Sequence, residues 1–154
     1  MRRFSAQMGF TLIELLVVIG ILAILLAITL VAINPAKQFS QANNTKRSAD
    51  VNAILNAINQ YMADNKGTLP PGITSTSQTI QSTAFNTFCA AIVPTYIAAL
   101  PVDPLTNNGA AVPQASCTAS TWNAGYTVQQ VAGSNRITVS APAAELSATI
   151  NVTR

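Results

Sequence analysis

From Leu12 to Ile33 the chain runs for 22 residues in which only Glu14, Gly20 and Thr29 are not plainly apolar. A helix of that length, rising about 1.5 Å per residue, is about 33 Å long and matches the hydrocarbon core of a bilayer. Lipid offers the backbone no hydrogen-bond partner, so a run of this kind is helical there. The constraint carries one anomaly, the carboxylate of Glu14. An acid at the centre of a membrane helix costs on the order of 2.5–3.5 kcal/mol on insertion scales. Glu14 lies near one end, which lowers the cost, but it still needs a partner.

A cut between Gly9 and Phe10 would supply one. It removes Arg2 and Arg3 and creates an amino group at Phe10. Residues four apart on a helix are neighbours, so Glu14 could reach that amine in its own chain. With helices packed side by side at an axial offset, it could instead reach the amine of an adjacent subunit and so set the register of assembly.

The stretch Met8-Gly9-Phe10-Thr11-Leu12-Ile13-Glu14-Leu15-Leu16-Val17-Val18-Ile19 resembles the class III signal sequence of type IV pilins and pseudopilins. The resemblance covers about a dozen residues. It implies cleavage after Gly9 by a membrane-embedded aspartic prepilin peptidase, which also methylates the new amine of Phe10. It further implies that Glu14 neutralises a neighbouring subunit's N-terminus in a helical filament, a homo-oligomer. An inner-membrane platform protein and an assembly ATPase are implied partners on the same ground. The proline that the family usually places in the anchor would fall near Val31, whereas this chain has Pro35 four residues later. Gly20 and Pro35 could bound a segment that loosens in a filament.

Two simpler readings compete for the same run. A secretory signal peptide also starts basic, but its apolar core is about 7–15 residues, and it ends at a small-residue cleavage site. This run is longer, holds an acid and ends in Ile33-Asn34-Pro35. A plain one-pass anchor explains the length but neither Gly9 nor Glu14. Arg2 and Arg3 orient the helix with its start in the cytoplasm, which places everything after Ile33 outside. The expected location is thus the cytoplasmic membrane, and after assembly an extracellular filament.

Charge gives little support for a nucleic-acid partner, and none is expected. The net charge of +3 includes the two arginines of residues 1–9, and without them six basic side chains face five acidic ones. Charged residues are 8% of the chain, far below the usual quarter or so. The part after the anchor is rich in Ala, Thr, Ser and Asn, a neutral mix suited to an exposed surface. It carries the chain's two cysteines, Cys89 and Cys117. In an exported chain such a pair reads most simply as one disulfide, closing a loop of about thirty residues and contributing roughly 3 kcal/mol. Two unconnected thiols are the alternative.

From Ala36 to Lys66 the sequence is polar, with Ala49, Ile54, Leu55, Ile58, Tyr61 and Met62 at three- and four-residue steps. That pattern predicts an amphipathic helix stopped by Gly67, with Pro70 and Pro71 beyond. Asn34-Pro35 either starts this helix anew or kinks one helix running from Phe10 to about Lys66, roughly 85 Å at helical rise. Lys46, Arg47 and Asp50 fall on its polar face, read as solvated with weak local ion pairs, or more sharply as contacts between subunits. Residues Thr68 to Thr83 read as a loop. Ala84 to Ala99 read as one or two helical turns interrupted at Pro94, with Phe85, Phe88, Ile92, Val93, Tyr96 and Ile97 as core. Alternation predicts strands over Tyr126–Val131, Ile137–Ser140 and Leu146–Val152, with a turn at Gly133-Ser134-Asn135. The expected fold class is α+β, a type IV pilin fold. Its parts are a leader over 1–9, a membrane-spanning half-helix over 10–33, an amphipathic half over 34–66, and a head over 67–154 with three or four antiparallel strands.

Leu100-Pro101-Val102-Asp103-Pro104 is a rigid bend and resembles the loop of major type II secretion pseudopilins that supplies calcium ligands. Asp103, Asn107 and Asn108 are weak candidate ligands. One carboxylate is thin for calcium, so a plain turn without metal is the expectation, and no cofactor is expected. Asn43-Asn44-Thr45 and Asn151-Val152-Thr153 match glycosylation sequons, a weak signal. With no histidine, no phosphate loop and no nucleophile elbow, catalysis is not expected. The resulting reading is a structural pilus subunit. The alternatives are a pseudopilin of a secretion or DNA-uptake system and a monomeric membrane-tethered binding module.

Overall fold

The structure is a computed structural model and describes residues 9–154. Met1 to Met8, most of the expected leader and including Arg2 and Arg3, lie outside the described residues. Helix α1 spans Leu12–Ile33 and helix α2 spans Pro35–Asp64. The described residues up to Gln38 form one compact unit and Phe39–Arg154 another.

The single 85 Å helix is therefore interrupted. Asn34 adopts a left-handed conformation (φ 45°, ψ 77°) between the two helices. The proline ring at position 35 disfavours a helical residue before it, and asparagine tolerates the left-handed region better than most side chains. Asn34 then serves the next helix. Its carbonyl accepts from the Lys37 N–H at 3.1 Å, and its side-chain Oδ1 accepts from the same N–H at 3.3 Å. Proline in the first helical position has no N–H to leave unsatisfied. At the far end Lys66 and Gly67 both have positive φ, and the Gly67 N–H reaches back to the Met62 carbonyl at 2.7 Å, closing α2 two residues earlier than expected.

In the second unit the buried face of α2 is Arg47, Val51, Ile54, Leu55, Ala57 and Ile58. The predicted stripe is thus right in Ile54, Leu55 and Ile58. Ala49 is exposed, and Val51 takes the place assigned to it. Tyr61 and Met62 pack at the edge of the core.

That face meets a four-stranded antiparallel sheet with neighbours in chain order: β1 Gln78–Gln81, β2 Asn123–Gln130, β3 Ile137–Ser140 and β4 Asn151–Thr153. Alternation along β2 buries Ala124, Tyr126 and Val128, and along β3 it buries Ile137 and Val139. Register is set by the pairs Val128 with Val139 and Val139 with Val152.

Two expectations fail here. The stretch Thr68 to Thr83, read as loop, contains β1, whose one fully buried residue, Ile80, lies in the core. Four residues with a single apolar side chain give too little alternation to be seen. Conversely, Leu146–Val152 is not one strand. Leu146 and Ser147 both have φ 56°, and pairing begins only at Asn151. Helix α3, Ser82–Ile92, begins before Ala84 and buries Phe85, Phe88, Cys89 and Ile92. Cys89 and Cys117 are disulfide-bonded, with Cα atoms 5.4 Å apart. The bridge joins α3 to the irregular segment before β2, where the Trp122 indole donates to the Cys117 carbonyl.

Candidate functional site

The residues expected to serve in processing and assembly sit at the start of α1. Gly9, Phe10 and Thr11 precede its first residue, and Phe10 is exposed. Thr11 is the N-cap. Its Oγ1 accepts from the Glu14 N–H at 3.2 Å, while Glu14 Oε2 accepts from the Thr11 N–H at 2.8 Å and from its hydroxyl at 2.7 Å. This reciprocal arrangement is a capping box, and it places a carboxylate at the positive end of the helix. In the uncut chain the Glu14 carboxylate thus has a local partner in Thr11. The reading of the residues passed over Thr11, although Thr-x-x-Glu before an apolar run is the sequence form of that cap. The rest of α1 is long and apolar enough to cross a membrane, and none of its residues is buried.

Residues 5–30 match the family described as the prokaryotic N-terminal methylation motif. With the apolar helix it marks the chain as a type IV pilin-like precursor, membrane-anchored, that carries a class III signal sequence. The motif implies a substrate of prepilin peptidase in a pilin-type system. The α+β fold, with its N-terminal apolar helix and four-stranded antiparallel sheet, is consistent with the type IV pilin fold. No curated protein and no solved structure matches the chain.

A second cluster lies inside the head and corrects the reading of α2 as carrying a solvated polar face. Arg47 is fully buried. Its Nε donates to Asp103 Oδ2 at 2.6 Å, its Nη2 to Asp103 Oδ1 at 3.3 Å, and its Nη1 to Glu145 Oε2 at 2.8 Å and Asn44 Oδ1 at 3.0 Å. The Asp103 hydrogen bond, the largest influence, holds the guanidinium more firmly protonated than usual, against the desolvation that opposes it. Hydrogen bonds from Asn43, Arg47 and Ser40 hold the Glu145 carboxyl below its ordinary range. Lys46 donates to the Val102 carbonyl at 3.0 Å and lies 3.5 Å from Asp50, which accepts from the Tyr126 hydroxyl at 2.7 Å. Burial, then the bond to Asp50, pushes the Tyr126 phenol far up.

The loop resembling a calcium-ligand loop does not fit that ion. Asp103 is buried, both of its oxygens accept from Arg47, and Oδ1 also accepts from the Leu105 N–H at 2.9 Å. Asn107 and Asn108 are exposed, in a left-handed turn with φ 47° and 53°. The one carboxylate among the three candidates is thus already taken, and the other two candidates are exposed amides. Asp103 is held inward by β2. Its N–H donates to the Ala124 carbonyl, and Gly125 has positive φ where any Cβ would lie 2.8 Å from that of Asp103. Of the two sequons, Asn43 already donates to Glu145.

Proposed function

We propose that this chain is the structural subunit of a type IV pilus, cut after Gly9, methylated at Phe10 and polymerised through α1 into an extracellular filament. The observation that carries the reading is the methylation motif joined to a helix whose apolar side chains are exposed all round. Such a helix has a stable place in lipid or among sister helices, and the two environments are similarly apolar, so transfer between them is permitted. Residues 1–9 are the leader. After the cut Glu14 has a choice of partner: its own Thr11, or the amine of a neighbouring Phe10. The platform protein and ATPase that drive extraction follow from this reading. The role is structural rather than enzymatic, in keeping with a head that lacks histidine.

The test is mass spectrometry of the protein recovered from cell-surface fibres. The expected chain begins at monomethylated Phe10. Recovery of the functional protein with residues 1–9 in place would refute the reading and favour a tethered binding module. Replacing Gly9 with leucine is expected to leave the precursor uncut, because the peptidase must bring the backbone at that bond close to its carboxylates. Maturation at an unchanged rate would show that the cut lies elsewhere.

A further inference from the structure

We propose that Lys46 and Arg47 are the resident cations of the 102–109 loop, so that the head is closed by side chains of its own helix where the resemblance implies a divalent metal. The inference concerns the head alone and stands apart from filament assembly.

Consecutive residues of α2 engage consecutive residues of the loop. Lys46 binds the carbonyl of Val102, and Arg47 binds the carboxylate of Asp103. Positions i and i+1 point about 100° apart on a helix, so the two contacts grip the loop from different directions and fix both its register and its height. The turn closes over the ammonium: a Cβ on Gly109 would lie 3.3 Å from Lys46 Nζ. The anionic groups here are Asp50, Asp103 and Glu145, and the cations are Lys46 and Arg47. Calcium needs six to eight oxygens, several of them carboxylate. To enter, it would have to displace a guanidinium bonded to both oxygens of Asp103 and stand beside an ammonium. Like charge and the filled donor set both oppose it.

The test uses the full-length protein in detergent solution, followed by Trp122 fluorescence on heating and by amide exchange. The wild-type midpoint is expected to agree within about one degree between EDTA and millimolar CaCl2, because a ligand that does not bind the folded state does not stabilise it. Lys46→Met removes only the partly exposed cation and is expected to leave the head folded. Exchange at the Thr106 and Gly109 amides should then quicken roughly tenfold, the loss of one charged hydrogen bond to local opening. Arg47→Lys keeps the charge but not the two-nitrogen geometry, and should quicken the same amides further. A rise of several degrees in the wild-type midpoint on adding calcium would overturn the proposal, as would unchanged exchange in Lys46→Met.

Discussion

Arg47 sits inside the head between a buried carboxylate, Asp103, and a second one, Glu145, whose side chain is 28% exposed. Removing one member of a buried pair leaves the other charged and unpaired, which typically costs about 3–5 kcal/mol, whereas replacing both by apolar groups is often neutral. Arg47→Met is therefore expected to destabilise by about that amount, with Arg47→Met/Asp103→Leu recovering most of it, as read from urea midpoints in detergent solution. Glu145 adds a pH dependence. Its carboxyl is held below the ordinary 4.5, so the folded state binds this proton more weakly than the unfolded chain does. The resulting stability is fully present above about 4.5, and it fades as pH falls through and below that value. Glu145→Gln should therefore lose stability at neutral pH but show a shallower decline than the wild type as pH falls below about 4.5, in the same urea assay. Of this cluster only the local Lys46–Asp50 pair was legible in the sequence. Arg47 meets Asp103 56 positions away and Glu145 98 away, and a helical arginine among polar neighbours looks like any solvated one. The methylation motif was legible because its signal lies in a short consecutive stretch, and the Thr11–Glu14 cap lies in the same window as Thr-x-x-Glu.

At the scale of elements, legibility follows length and the strength of the period. Helix α1 needs no period, since an unbroken apolar run decides it. β2 and β3 each bury alternate residues, and that alternation shows directly. β1 and β4 have four and three residues, too few to show a pattern, and their strand character comes from the neighbours that pair with them. Helix α2 is the intermediate case. Its stripe was visible, but a small residue and a β-branched one two positions apart were exchanged in the reading. The structure makes this a measurable difference. Val51 is fully buried while Ala49 is exposed. Val51→Ala is expected to cost about 2 kcal/mol through lost burial and a residual cavity, and Ala49→Glu to stay within about 0.5 kcal/mol, both read from urea unfolding. Equal effects at the two positions would mean that α2 is rotated about its axis.

For the whole molecule the question that the proposed function raises is what would make a membrane-stable precursor leave lipid for a filament. Apolar burial cannot decide it, since α1 is about as well solvated by acyl chains as by sister helices. The deciding term has to be polar, and within the described part of α1 the one ionisable side chain is Glu14. In the precursor its carboxylate is already satisfied by the Thr11 amide and hydroxyl, so an uncut chain gains little from a neighbour. The proposed cleavage would change the balance by adding a cation one residue before Thr11. A carboxylate and an ammonium brought together in low dielectric attract far more strongly than the carboxylate binds a neutral donor or the ammonium a neutral acceptor, and a mismatched register leaves both unpaired. Two substitutions separate this account from simple helix capping. Glu14→Val removes the charge together with half of the capping box. It should leave cleavage and methylation largely intact while cutting surface fibres at least tenfold. Thr11→Val removes the cap hydroxyl but keeps the charge, costing about 1 kcal/mol of helix stability while fibres still form. The measurement is fibre yield by shearing and electron microscopy, with precursor processing followed on the same samples. If Thr11→Val abolished fibres and Glu14→Val did not, the Thr11 cap hydroxyl would be what assembly requires, and the pairing of charges between subunits would be wrong.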